Sequence, residues 1–330
     1  MDTLIKKSLR YSLFDGILAN VMMGCSETFI GPYAIAMGAN ARMVGLLAAF
    51  PNLAGALIQM KSPALSERLG SRKKLIVWAV FLQALMWIPV IAIPYLIAEQ
   101  MRVPSLIVLY TFLIAVGLIS FPPWSSLMSD YIPERDRGKY FGWCNRVLGI
   151  TNIATMIIAG AVLHISKRFS AKAIAGFTLI FSVACAARFG CCYFLSRMYE
   201  PSLVIKDEHR FTMRDFLRRI PRSNFGRFVI FVALINFAVF MSGPFFAVYM
   251  LRDLRFDYLT YTIVTMTSTL TIFAMMRVWG AHADHVGNRR VLRLSSYFLP
   301  VIPVLWVFSH NIVYLIAIQI FGGFFGRGLI

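Results

Sequence analysis

The chain has 330 residues, of which 58% are hydrophobic and only 15% charged, with a formal net charge of +18 at pH 7. Its mean hydropathy of +0.69 excludes an ordinary soluble domain, which sits nearer half apolar and a quarter charged. No polar stretch is long enough to bury a core of its own, so a separate soluble domain is excluded as well.

Ten apolar spans are predicted, near 12–37, 42–63, 75–98, 104–128, 140–165, 173–196, 227–250, 258–280, 291–308 and 311–329. About 20 apolar residues suffice to cross ~30 Å of hydrocarbon as a helix. The first span is too long for a signal-peptide core and no A-x-A site follows, so it is expected to be a retained helix. Gly16, Asn20, Gly24, Glu27 and Gly31 fall on one face of it, and that face should turn to the bundle interior. An acid inside a membrane span is costly, so Glu27 is a candidate for binding a proton or a cationic solute group, the alternative being a structural acid paired to a neighbouring helix. Asp15, at the cytoplasmic end of the same span, is expected to be an interfacial or loop-facing charge. The second span carries Asn52 and Gln59 on one face, with Gly55 between them.

The loop after it reads "SERLGSRKK" and holds Glu67, Arg68, Gly70, Arg72 and Lys73. The fourth span ends on Pro122-Pro123-Trp124; Trp124 is expected either to line a cavity or simply to pack. In the fifth, Asn145, Gly149 and Asn152 form a polar stripe with Arg146 beside it, and Asp130 or Asp15 is the acid Arg146 is expected to pair with across helices. His164 is expected to be an interfacial histidine. Arg188 in the sixth span and Arg277 in the eighth are expected to reach an interface by snorkelling. Residues 197–226 form the longest polar connection, in which "TMRDFLRRI" could fold as a short amphipathic surface helix. The seventh span carries Asn236 ahead of Pro244. The loop after the eighth reads "GAHADHVGNRR" and holds Gly280, Asp284, Gly287, Arg289 and Arg290. Cys25, Cys144, Cys185, Cys191 and Cys192 all fall inside spans with no CxxC spacing, as small apolar core residues do.

The basic charge has a sided distribution. The N-terminus and the loops after spans 2, 4, 6 and 8 hold 21 of the 33 Lys and Arg, the opposite loops 7, and the spans 5. By the positive-inside rule this places the N-terminus and the long connection in the cytoplasm. The charge is therefore topological, and nucleic acid is excluded as a partner. The chain also repeats itself. "GPYAIAM" late in span 1 is echoed by "GPFFAVYM" late in span 7, and the loop at Gly70 by the loop at Gly287. A parallel repeat of this kind is one of the transporter architectures.

Gly280-x3-Asp284-His285-x-Gly287-Asn288-Arg289-Arg290 resembles the loop signature of the major facilitator superfamily, G-x3-D-[RK]-x-G-x-[RK]-[RK], in its second-half position. Pro63-x3-Glu67-Arg68-x-Gly70-Ser71-Arg72-Lys73 resembles the first-half copy, departing at Pro63 and Glu67. The stretch "PPWSSLMSDYIPERDRGKYFGWCNR" also resembles the helix 4–5 region of bacterial members. The resemblance implies an all-α integral membrane protein built of parallel six-helix repeats. Residues 1–196 would form the first half, 197–226 a cytoplasmic linker, and 227–330 helices 7–10 of the second half. The implied fold has twelve helices, so helices 11 and 12 are missing from this sequence, and it is expected to be either a fragment of a longer reading frame or a truncated product. In the family pattern Glu67 would face helix 11, and Asp284 would face helix 5 near Gly138 to Tyr140, closing the cytoplasmic side.

The expected function is secondary active transport of a small solute by alternating access, in a bacterial inner membrane, with a proton or ion as possible coupling partner. Glu27, Asn20, Asn52, Gln59, Asn152, Asn236 and Trp124 are the candidate solute and coupling residues. No phosphate-cradling loop is present, which argues against ATP-driven transport. No cofactor is expected, nor a metal, since His282 and His285 flank Asp284 without further ligands nearby. Lipid is expected around the helices, and a monomer if the protein is full length. The alternatives are a non-transporting or inactive truncated membrane protein, or a polytopic membrane enzyme, which would need clustered interfacial acids or histidines that the sequence lacks.

Overall fold

The computed structural model describes residues 2–169, 174–201, 223–298 and 300–326. The predicted amphipathic helix in the long connection lies outside the described residues. Among the described residues, eight helical spans are long and apolar enough to cross a membrane, with a shorter apolar helix near the end. The elements in order are α1 (Asp2–Ser26), α2 (Ile30–Ala36), α3 (Ala41–Gln59), α4 (Ser62–Leu69), α5 (Arg72–Leu96), α6 (Glu99–Ile119), α7 (Phe121–Tyr131), α8 (Glu134–Phe169) and α9 (Ile174–Ser196). After the long connection come α10 (Asn224–Val248), a π-helical turn (Tyr249–Asp253), α11 (Tyr258–Val286), α12 (Asn288–Phe298), α13 (Val301–Leu305) and α14 (Ile312–Gly326).

Prolines account for the differences from the ten predicted spans. The first span breaks at Glu27–Phe29 and resumes as α2, with Pro32 inside the second piece. The fourth breaks at Ser120 because Pro122 and Pro123 start α7. The span predicted at 291–308 splits into α12 and α13, with Pro300 at the break. Each proline lacks an N–H and leaves the carbonyl four residues earlier without its helical donor. Three of those carbonyls are taken up by another helix. Tyr33 donates to the Val90 carbonyl freed by Pro94 at 3.0 Å. Ser62 donates to the Ile119 carbonyl freed by Pro123 at 2.6 Å. Tyr261 donates to the Thr28 carbonyl freed by Pro32 at 2.9 Å. A break that would weaken an isolated helix is thus turned into a tie between helices.

The core lies in two clusters. The larger is rich in aromatic rings, where α2, α5 and α9 meet the start of α11. Tyr33 packs edge-on against Phe181 at 4.9 Å, and Phe177 against Tyr258 at 5.4 Å. Trp87, Phe29, Tyr33, Phe177 and Phe181 are fully buried there. The smaller cluster, around Ile76, Leu127, Met128, Tyr131 and Leu195, sits near the start of α5 and the end of α9. All five cysteines are free thiols, three of them buried and two half-buried.

Candidate solute cavity

A cavity of about 810 Å³ runs between the helices, bordered by α1, α3, α5, α6, α7 and α9 on one side and by α10 and α11 on the other. Of the residues proposed from sequence, Glu27, Asn20, Asn52 and Trp124 line it, whereas Gln59, Asn152 and Asn236 do not. Glu27 stands at the break between α1 and α2, its amide still bonded to Met23 and its carboxylate open to the cavity. Asn20 and Asn52 each donate their side-chain amide one turn back along their own helix, to Gly16 and Ala48. Asn152 donates across to the Asn20 carbonyl at 3.5 Å, so it serves helix packing. Asn236 bonds back to Val232 and is exposed. Gln59 lies at the end of α3, beyond the lining.

The cavity also holds charges that the sequence reading put elsewhere. Asp15 and Arg188 were expected at interfaces. Both are buried and line the cavity instead, because α1 and α9 pack along their length and enclose these positions. Gln83 joins them from α5, pressed against Gly117 of α6. Tyr110, Tyr261 and Thr265 add hydroxyls. Periodicity along one helix could not find these residues, since their grouping depends on how α1, α5 and α9 align.

The two ends of the cavity differ. Near the start of α11, Thr262 lies so close to Gly160 of α8 that a Cβ there would meet its Cβ at 2.8 Å. Phe273 likewise covers Gly149. Tyr261 bridges to Thr28. His164 of α8, the interfacial histidine of the sequence, is satisfied by Asp257 at 2.8 Å. Asp257 also accepts from the Thr260 amide at 3.0 Å, capping the start of α11. Partial burial would raise the Asp257 pKa, but the hydrogen bonds from Thr260 and the His164 charge outweigh it and hold the carboxyl below its usual value. At the far end of α8, a Cβ at Gly138 or Gly142 would meet nothing within 4 Å among the described residues.

The two signature loops share a backbone geometry. Gly70 ends α4 with φ 60 and Gly287 follows α11 with φ 86, a region that favours glycine. In the first loop, Arg72 is buried and pairs with Asp130 at 2.7 Å, also donating to Ser126 and to the Pro201 carbonyl. Asp130 therefore does not pair with Arg146, which is exposed on α8. The start of α5 reaches Asp130 because α7 packs beside it, whereas α8 carries Arg146 away. Ser71 donates to Glu200, the Lys73 amide bonds the same carboxylate, and Lys73 Nζ bonds the Met198 carbonyl. Glu67 and Arg68 are exposed. In the second loop Arg290 is exposed and its amide bonds the Gly287 carbonyl. Gly280 lies within α11, and the side chains of Asp284 and Arg289 lie outside the described residues.

The sequence matches the family described as the Major Facilitator Superfamily over residues 16–330. No curated protein matches it. Among solved structures, the nucleoside transporter NupG is similar at 13% identity and TM-score 0.69, over 99% of this chain and 80% of that one. A D-xylose-proton symporter is similar at 14% identity and TM-score 0.63, over 97% and 79%. A bacterial homolog of the human lysosomal transporter Spinster, inward-facing and unoccupied, gives 13% identity and TM-score 0.63, over 99% and 73%. At such identities the likeness is one of fold.

Proposed function

This chain belongs to the major facilitator superfamily, and we propose that it carries a small solute across the membrane by alternating access around the cavity described above. It is a multi-pass integral membrane protein and a secondary transporter. Residues 1–196 and 227–330 are the two moving parts in this reading, joined by the connection at 197–226. The observation that carries it is the cavity lined by both parts, beside an α8–α11 pair in contact over Gly149 and Gly160, with no described atom within 4 Å of a Cβ at Gly138 or Gly142. With the N-terminus in the cytoplasm, as the basic loops favour, the Gly138 end of α8 faces inward and the contact at Gly160 lies on the outer side, which supports an inward-facing arrangement.

The solute sits between the parts, and Glu27 is the coupling acid. It is open to the cavity at a helix break next to Thr28, whose carbonyl ties α11 to the first part. Loss or gain of a proton at Glu27 would thus be felt at the junction that must open. The nucleoside and pentose carriers to which the fold is similar support a small polar solute, and the symporter supports proton coupling.

Counterflow into proteoliposomes reconstituted with the chain tests the reading, using nucleosides, pentoses and amino acids as probes. Saturable uptake above protein-free vesicles is expected, and leak at the protein-free rate for every probe would overturn it. Glu27→Gln is expected to keep counterflow while losing proton-driven accumulation. Full gradient-driven accumulation in that variant would remove Glu27 from the coupling role.

A further inference from the structure

Four buried side-chain polar atoms without a hydrogen-bond partner line one side of the cavity: Asp15 Oδ1, Gln83 Oε1, Trp124 Nε1 and Arg188 Nε. Buried polar atoms are nearly always partnered, so a group of orphans on one cavity wall points to a ligand that supplies the partners. Asp15, Gln83 and Arg188 are 7%, 5% and 8% exposed.

Cross-helix contacts fix their relative heights. Cys191 of α9 donates to the Asp15 carbonyl of α1 at 3.4 Å. Cys185 and Cys192 of α9 donate to Ala84 and Val77 of α5 at 3.4 and 3.8 Å. On α9, Arg188 therefore stands about one turn from the level of Asp15 and nearly level with Gln83, a rise of about 1.5 Å per residue. The three polar groups fall within about 8 Å of one another along the helix axes, which makes them one layer of the cavity wall. The Asp15 carboxylate feels the Arg188 charge, yet the two do not close to an ion pair. Among the described residues, Arg188 is the one cation lining the cavity.

We propose that this layer is a subsite for a zwitterionic solute of the amino-acid class. Its carboxylate is received by the Arg188 guanidinium, and its ammonium by Asp15 Oδ1 and Gln83 Oε1. A zwitterion matches a site with one charge of each sign and supplies both the acceptor and the donors that the orphans need. A neutral sugar or nucleoside would leave both charges without a countercharge. Glu27 lies twelve residues further along α1, about 18 Å away, beyond the reach of such a solute, so it stays free for its separate coupling role. The assignment rests on the transporter reading and names its substrate class.

The test uses the full chain, purified and reconstituted, with the twenty standard amino acids offered singly. Thermal stabilisation reads binding and proteoliposome counterflow reads transport. At least one amino acid is expected to stabilise the protein and exchange, whereas its decarboxylated amine and its des-amino acid bind at least about tenfold more weakly. Arg188→Met and Asp15→Asn are expected to cut that affinity by about tenfold or more. If Arg188→Met fails to fold, Gln83→Leu serves in its place, with loss of preference for the amine-bearing probe as the readout. Exchange of a nucleoside or pentose with no amino acid bound would overturn the subsite and leave the transporter reading standing. No exchange of any probe would bring down both.

Discussion

The two ends of the α8–α11 pair are made of the same material and behave oppositely. Both carry two glycines on α8. At Gly149 and Gly160 the partner helix lies against the missing Cβ, and at Gly138 and Gly142 nothing among the described residues is within 4 Å. The closed end is held by several unlike contacts: a tyrosine on a proline-freed carbonyl, an aspartate that both pairs with His164 and caps α11, and buried aromatic rings packed edge-on. The lesson is that small residues permit close approach at both ends, and specific hydrogen bonds decide which end makes it.

The largest effect should come from crowding the closed end. Gly160→Leu would drive a side chain into Thr262, and overpacking of this kind costs about 1–3 kcal/mol. Gly138→Leu meets no described atom and should change stability by less than about 0.5 kcal/mol. Thermal unfolding of the two variants in one detergent checks the contrast, and equal losses would erase it. Next comes the proline-freed carbonyl. Tyr261→Phe strands the Thr28 oxygen and should weaken the closed end by about 1 kcal/mol. That is roughly a fivefold shift in the balance between end states, to be read as faster labelling of a thiol placed at the outer side.

A control on the loop side is expected to be smaller at the cavity ends. Arg72→Met removes the partner of Asp130 and the tie to residue 201. It should lower overall stability by about 1–2 kcal/mol, since Asp130 is partly solvated, without changing that labelling rate. The smallest effect is the pH dependence of the His164–Asp257 pair. The Asp257 pKa is depressed in the folded protein, so its contribution is present above the usual carboxylate value and fades as pH falls through the depressed one. Both side chains are more than a third exposed, which limits the contribution to below about 1 kcal/mol. Asp257→Asn should flatten the acid-side loss of outer closure, and an unchanged acid profile would show that the pair does not matter.

The helical class, the sided charge and the paired glycine loops were all legible in the sequence, because each is a local property of composition or spacing. The breaks at Glu27–Phe29 and Ser120 were not drawn, although Pro32 and Pro122-Pro123 mark them, since apolar runs continue unbroken through both. What could not be read was grouping. Asp15 and Arg188 look like helix-end charges until α1 and α9 are aligned, and Asp130 meets Arg72 only because α7 packs beside α5. Asn152 and Asn236 carry the same side chain as Asn20, but their helices turn them to packing or to the outside.

The most direct measurement is a pair of spin-label distances in one cysteine-free background, one pair at Gly138 and Val286 and the other at Ile165 and Asp253. With solute that supports counterflow, the account predicts that the first distance shortens while the second lengthens. Two distances that stay fixed, or that change in the same direction, would contradict alternating access around this cavity.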